Sequence, residues 1–280
     1  MAEVLASDGV RLYAEAHGEG TPVVLSPGYC QTHENFRPQV APLVAAGWRA
    51  VLWDYRGHGR SQVPEPPAAY SMAQVVSDLG RVLDWAAPGR RAVVGGLSFG
   101  GLASLHFALA HPERTRALLL FASGPGFKRP EAQAGWEAQV GRIADRLEKI
   151  GFEGFVTGRS AGTAIGHHPK LPAAQAAGRA IEAQDPLGVA RFGRRVAGPA
   201  QGVIDQLGTI QAPALVLVGA HDNAYLRAAE VMAAKLPRAT HTVVPDAGHV
   251  VNLEQAEAFN REVLAFLAAL PPDLDHPTSG

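Results

Sequence analysis

The motif G-L-S-F-G at residues 96–100 constrains the fold of this chain more than any other stretch. The apolar run 92–94 before it predicts a buried strand, and the apolar residues 102–110 after it predict a helix. A serine with a glycine two residues away on each side, at a strand-to-helix turn, is typical of a nucleophile elbow. Larger side chains would clash in so tight a turn. We therefore expect Ser98 to be a nucleophile and the N–H of Phe99, at the helix start, to bind an anion.

Strand-like and helical patterns alternate along most of the chain, and eight strands are predicted. These strands cover residues 3–6, 10–17, 23–25, 50–53, 92–94, 117–122, 214–218 and 240–244. The alternation predicts an α/β fold with a doubly wound, mostly parallel sheet. The Asp8-Gly9 turn between the first two strands predicts an antiparallel hairpin at its edge. Loops that follow parallel strands converge on one edge of the sheet, where ligands bind.

Residues 124–207 interrupt this alternation, because they contain helical patterns and no convincing strand. We therefore predict a helical insertion after the sixth strand. The α/β core then consists of residues 1–123 and 208–270. The polar, proline-rich residues 271–280 are expected to be disordered.

Composition narrows the function classes. A chain of 280 residues with 47% hydrophobic and 18% charged residues is typical of a globular protein. A net charge of −1 argues against nucleic-acid or membrane partners. The single Cys30 excludes an internal disulfide and fits a reducing compartment. No apolar run reaches the length of a membrane span, and no signal peptide is recognisable. We expect a cytoplasmic protein that is a monomer or a homodimer.

A serine nucleophile needs a base and a carboxylate that orients the base. His249 lies between the last strand and the last helix, directly after Gly248, which allows a sharp turn. Asp222 follows the penultimate strand, so the order serine, aspartate, histidine is the one that this architecture imposes. Asp246 and Asp54 remain weaker candidates for the carboxylate.

Four motifs together resemble the α/β-hydrolase family with a cap domain. They are the elbow at 96–101, the run D-Y-R-G-H-G-R-S at 54–61, G-A-H-D at 219–222 and A-G-H at 247–249. The resemblance covers about residues 10–270. It implies an oxyanion hole formed by the N–H groups of Tyr29 and Phe99. Relatives often carry His-Gly at the turn after the third strand, where this chain has Pro27-Gly28.

Several other residues are interpreted as structural. In the resembling family the 54–61 loop is mainly structural, with glycine turns and Asp–Arg pairing. His167 and His168 have no third ligand at a recognised spacing, so no metal is expected. Cys30 is interpreted as a small packed residue. The basic side chains at 191–195 form either a solvated helix face or a contact for a substrate carboxylate.

The predicted activity is hydrolysis of a small carboxylic ester or lactone, without a cofactor or metal. The aromatic residues Trp136, Phe152 and Phe155 of the cap are expected to line an apolar substrate pocket. Three alternatives stay open. They are cleavage of a carbon–carbon bond in a vinylogous diketone, enol-lactone hydrolysis as a subcase, and a ligand sensor on the same scaffold. In the resembling family, enzymes that cleave such carbon–carbon bonds often carry Gly-Asn-Ser at the elbow, whereas this chain has Leu97 before the serine.

Overall fold

One eight-stranded sheet organises the fold of residues 2–272, which a computed structural model describes. The strands are β1 Ala2–Leu5, β2 Arg11–His17, β3 Pro22–Ser26, β4 Arg49–Trp53, β5 Ala92–Leu97, β6 Thr115–Phe121, β7 Ala214–Gly219 and β8 Ala239–Val244. Their order is β1-β2-β4-β3-β5-β6-β7-β8. The β1–β2 and β2–β4 pairs are antiparallel, and the other pairs are parallel. The prediction of a doubly wound, mostly parallel sheet of eight strands is therefore confirmed.

The central strands are apolar because helices cover both faces of the sheet. Every residue of β3, β5 and β7 is buried, whereas most of the edge strand β8 is at least partly exposed. Gly95 within β5 lies so close to Leu119 of β6 that a Cβ would collide with it. A larger residue at this position would separate the two central strands.

The helices are α1 Arg37–Ala45, α2 Met72–Ala86, α3 Phe99–Ala110, α4 Pro130–Ile150, α5 Ala161–Ala164, α6 Pro172–Glu182, α7 Pro186–Phe192, α8 Leu226–Lys235, α9 Val251–Glu254 and α10 Ala256–Ala268. Ser71, a residue type that the sequence favours as a helix cap, caps α2, since its side chain accepts the N–H of Gln74. The amphipathic pattern of residues 253–270 predicts one long helix, and this prediction is wrong at its start, because non-helical backbone at Gln255 (φ −132°, ψ 55°) separates α9 from α10. In residues 2–272 no helix is long and apolar enough to cross a membrane.

Residues 122–213, here called the β6–β7 insertion, contain α4 to α7 and a π-helical turn at Gly193–Ala197. No strand forms between β6 and β7, both of which belong to the described part of the chain. The sequence pattern of residues 186–206 predicts one or two helices, and the structure is irregular there after Ala197. The domain limits at 124 and 207 stay a prediction. The predicted disordered tail lies, from residue 273 on, outside the described residues.

The insertion is fastened to the core beside the loop that follows β3. Gln31 Nε2 donates to the carbonyls of Thr163 and Ala164, at 3.2 Å each. In the other direction, Gln184 Nε2 donates to the Cys30 carbonyl at 2.9 Å, and Gln184 Oε1 accepts the N–H of Gly59 at 2.9 Å. These contacts set the insertion against the carboxyl edge of the sheet.

Candidate active site

The elbow serine lies between β5 and α3 in a strained conformation. Ser98 has φ 55° and ψ −115°, a region that residues with side chains seldom adopt. A Cβ on either Gly96 or Gly100 would collide with the carbonyl oxygen of Ser26. Ser123 Oγ also donates to the Ser98 carbonyl at 2.7 Å. The surrounding backbone therefore holds the strained turn in place, and the Ser98 side chain stays partly exposed.

Asp222 and His249 come together from two neighbouring loops. Asp222 follows β7, His249 follows β8, and His249 Nδ1 lies 2.8 Å from Asp222 Oδ2. Both residues are buried, with 6% and 8% of their surface exposed. Asp246 instead projects into solvent, 3.9 Å from His221. The carboxylate beside His249 is thus that of Asp222 and not that of Asp246.

A tyrosine joins Ser98 to His249. The Tyr225 hydroxyl lies 3.4 Å from Ser98 Oγ, and the Tyr225 ring stacks on the His249 ring with centroids 4.9 Å apart. Across residues 2–272, Ser98 Oγ has no hydrogen bond to His249 itself. Such contacts are often long in a free enzyme and tighten when substrate binds. Sequence reasoning missed Tyr225, although its position three residues after Asp222, at a helix start, was a usable signal.

The two backbone N–H groups predicted for an oxyanion hole lie in the turn after β3 and at the start of α3. The N–H groups of Tyr29 and Phe99 have no acceptor among residues 2–272. The turn that carries Tyr29 is fixed by Gln31, whose Oε1 accepts the Gly28 N–H at 2.9 Å. The same turn packs on the elbow, because the Ser26 carbonyl occupies the space beside Gly100. This arrangement fits the oxyanion hole that the sequence predicts.

Glu254 holds the backbone on both sides of His249. Its buried carboxylate accepts the N–H of Gly248 and the N–H of Val250, at 3.1 Å each. A carboxylate that accepts two N–H groups fixes the loop more firmly than a neutral acceptor would. The sequence pattern does not indicate this role, because it predicts one continuous helix that includes Glu254.

The 54–61 loop packs as a structural element. Asp54 accepts the N–H of His33 at 2.7 Å and that of Arg60 at 3.0 Å. Arg56 is buried and binds the Asp78 carboxylate through two hydrogen bonds of 2.7 Å. His58 lies among aromatic rings with 1% of its surface exposed, and burial lowers its pKa to about 4. These contacts agree with the structural interpretation of the loop.

The three aromatic residues predicted for the pocket lie within the β6–β7 insertion. Phe152 and Phe155 contact each other edge to face and are 5% exposed each. Trp136 is partly exposed and donates its indole N–H to the Ala197 carbonyl at 2.8 Å. The burial of both phenylalanines leaves little of their surface for a substrate. Their role in substrate binding stays a prediction.

Other candidate groups are accounted for by packing. Cys30 is buried, and burial raises the pKa of its thiol, which disfavours the nucleophilic thiolate. No cluster of three or more histidine, cysteine, aspartate or glutamate side chains suited to a metal ion occurs in residues 2–272. The structure brings one group of predicted site residues together, namely Ser98, Asp222, His249 and the turn that carries Tyr29.

Comparison with known proteins assigns the fold that carries this cluster to a family. The profile of the alpha/beta hydrolase fold family matches residues 21–256. Because this match covers most of the chain, the protein belongs to the alpha/beta hydrolase fold family. The family resemblance predicted from the four motifs is thereby confirmed.

Three proteins to which this chain is similar are hydrolases by name. RutD of Variovorax paradoxus (strain S110), a carbamate hydrolase by name, is 31% identical over 92% of this chain and 96% of its own length. An esterase from Thermogutta terrifontis superposes with a TM-score of 0.84 and 26% identity, over 96% of this chain and 98% of its own. The enol-lactonase from Burkholderia xenovorans LB400 gives a TM-score of 0.82 and 25% identity, over 95% and 100%. These relatives support hydrolase activity.

Proposed function

We propose that this protein is a serine hydrolase that cleaves a small carboxylic ester or lactone through an acyl-enzyme. The proposed catalytic residues are Ser98, His249 and Asp222, with the N–H groups of Tyr29 and Phe99 as oxyanion hole. The observation that carries this proposal is the 2.8 Å contact of His249 Nδ1 with Asp222 Oδ2. This contact lies at the same sheet edge as the strained serine.

In the proposed acylation step, Ser98 Oγ attacks the carbonyl carbon of the substrate. His249 Nε2 takes the serine proton and then gives it to the leaving oxygen as the carbon–oxygen bond breaks. Asp222 fixes the imidazole tautomer and stabilises the imidazolium that forms. The negative charge that develops on the carbonyl oxygen receives hydrogen bonds from the Tyr29 and Phe99 N–H groups.

In the proposed deacylation step, a water molecule attacks the acyl-enzyme. His249 removes a proton from the water and gives it to Ser98 Oγ as the bond between this oxygen and the acyl carbon breaks. The products are the free acid and the original enzyme. The scheme uses no metal ion and no cofactor.

The relatives support the choice of substrate class to different degrees. The esterase and the enol-lactonase support an ester or lactone, with 26% and 25% identity. RutD makes a carbamate the competing substrate, since a carbamate also has a carbonyl carbon with a leaving heteroatom. We retain Trp136, Phe152 and Phe155 as proposed pocket residues. Because they pack within the insertion, we propose that they act indirectly, by setting the shape of the pocket wall.

The experiment compares the wild-type protein with Ser98→Ala, using a fluorophosphonate label and 4-nitrophenyl acetate. We expect labelling and turnover in the wild type and neither in the variant. Ser104→Ala is the matched control, because Ser104 lies in the same helix with its hydroxyl bonded to the Gly100 carbonyl. Loss of labelling in the control, or retention in Ser98→Ala, would contradict the proposal. Labelling without ester turnover would favour carbon–carbon substrates or a ligand sensor.

A further inference from the structure

Tyr225 contacts the proposed nucleophile and the proposed base at the same time. Its hydroxyl is 3.4 Å from Ser98 Oγ, and its ring lies nearly parallel to the His249 ring, at 27°. Within residues 2–272, Ser98 Oγ is the one hydrogen-bond partner of this hydroxyl. No second hydrogen bond in the described residues therefore accounts for the presence of this hydroxyl group.

The position of Tyr225 is set by its own loop and by the segment that follows β6. Its N–H donates to the Asp222 carbonyl at 2.9 Å, so the carboxylate and the tyrosine belong to one turn. On the side of β6, a Cβ on Gly124 would be in van der Waals contact with the Tyr225 ring, at 3.8 Å. The ring thus lies near Gly124 on one side and stacks on the imidazole on the other. This support fixes the direction in which the hydroxyl points.

We propose that Tyr225 is a catalytic residue whose hydroxyl donates a hydrogen bond to Ser98 Oγ as this oxygen leaves the acyl group in deacylation. This inference rests on the proposed serine hydrolase function. In the step concerned, the bond between Oγ and the acyl carbon breaks, and its electron pair stays on Oγ. His249 supplies the proton to Oγ, and Tyr225 keeps its own proton throughout.

The hydroxyl is suited to act as a donor in this step. Burial raises the pKa of Tyr225, so the phenol keeps its proton at neutral pH. A separation of 3.4 Å is longer than the ~2.7–2.8 Å of a good hydroxyl hydrogen bond, so the resting contact is weak. It strengthens as negative charge develops on Oγ, because hydrogen bonds to charged acceptors are shorter and stronger. In acylation Ser98 Oγ already has this contact in the free enzyme, so the transition state of that step gains less from it.

The test uses Tyr225→Phe, which keeps the ring stacked on His249 and removes only the hydroxyl. With 4-nitrophenyl acetate, kcat/KM reports acylation, and kcat reports deacylation where that step is slower. We expect kcat to fall about tenfold, as for the loss of one hydrogen bond, while kcat/KM stays nearly unchanged. KM then falls as well, and intact-protein mass spectrometry shows acetyl-enzyme accumulating during turnover.

Tyr70→Phe is the matched control, because Tyr70 donates its buried hydroxyl to the Pro64 carbonyl at 2.9 Å, outside the proposed site. It should leave the ratio of kcat to kcat/KM as in the wild type. Equal loss of kcat and kcat/KM in Tyr225→Phe, or no loss of kcat, would overturn the role of Tyr225. A wild-type protein that neither reacts with fluorophosphonate nor releases nitrophenol would overturn the proposed function and this inference together.

Discussion

The carboxylate of Glu254 accepts the N–H of Gly248, which directly precedes the proposed catalytic histidine. The same carboxylate accepts the next N–H after that histidine, so it fixes the loop from both sides. No sequence motif marks Glu254 for this role, so a substitution of its carboxylate tests the role directly.

Replacement of Glu254 by glutamine should loosen the loop, since an amide supplies one acceptor oxygen instead of two. We expect kcat to fall about tenfold and the free energy of unfolding to fall by about 1–3 kcal/mol. Steady-state kinetics and urea unfolding measure the two effects. Glu257→Gln, on the exposed side of α10, is the control and should change neither. An unchanged kcat in Glu254→Gln would limit the residue to a purely structural role.

The two candidate carboxylates can be separated by a matched pair of substitutions. Asp222→Asn removes the charge beside His249 and should lower kcat by about 10⁴, as in the serine-protease triad. Asp246→Asn removes a charge that faces solvent and should leave kcat within about twofold, as is usual for exposed sites. The assay is turnover of 4-nitrophenyl acetate, with circular dichroism to show that both variants fold. A larger loss in Asp246→Asn would transfer the role to that residue.

The elbow glycines should tolerate no side chain. In Gly100→Ala the new Cβ would collide with the Ser26 carbonyl, and we expect the free energy of unfolding to fall by about 3 kcal/mol or more. Gly141→Ala is the control, because no atom lies within 4 Å of a Cβ at that helical position. It should stabilise the protein by about 0.5–1 kcal/mol through helix propensity. Equal stability of the two variants in urea would contradict the packing described for the elbow.

Burial of His58 should make the free energy of unfolding depend on pH. Its pKa in the folded protein is about 4, below the ordinary value of 6.5. Between these values the unfolded chain binds a proton that the folded chain does not, so stability is full above pH 6.5 and falls as the pH drops toward 4. At about 1.4 kcal/mol per pKa unit, the difference corresponds to about 3 kcal/mol.

The test of this pH dependence is to compare the wild type with His58→Phe, in which an aromatic ring stays in the aromatic surroundings. Urea unfolding at several pH values from 4 to 7.5 gives both stability curves, and other titrating groups cancel in their difference. We expect the wild type to lose up to about 3 kcal/mol more than the variant on acidification. Parallel curves would show that His58 takes up its proton in the folded state as readily as in the unfolded one.

Sequence patterns were sufficient for the sheet and for the residues nearest the elbow. Apolar runs located β3 to β7, because a buried parallel strand has no polar face to obscure the pattern. Glycine spacing located the strained Ser98, since only small residues fit beside the Ser26 carbonyl.

The remaining contacts depend on tertiary geometry. Tyr225 is 127 residues from Ser98 along the chain, and only the pairing of β5, β6 and β7 brings their loops together. The apolar periodicity of 253–270 concealed the helix break at Gln255, and with it the role of Glu254. Aromatic content alone could not separate a pocket wall from the interior of the insertion, where Phe152 and Phe155 pack.

The glutamines that fasten the insertion bind main-chain atoms, which are present whatever the side chain. Gln31 holds the carbonyls of residues 163 and 164, and Gln184 holds the carbonyl of Cys30 and the N–H of Gly59. Side chains at exposed positions of the insertion can therefore change without loss of these hydrogen bonds, while its buried apolar side chains keep their packing on the core. A combinatorial library confined to those positions, with both glutamines retained, would alter selectivity while the reaction centre stays constant.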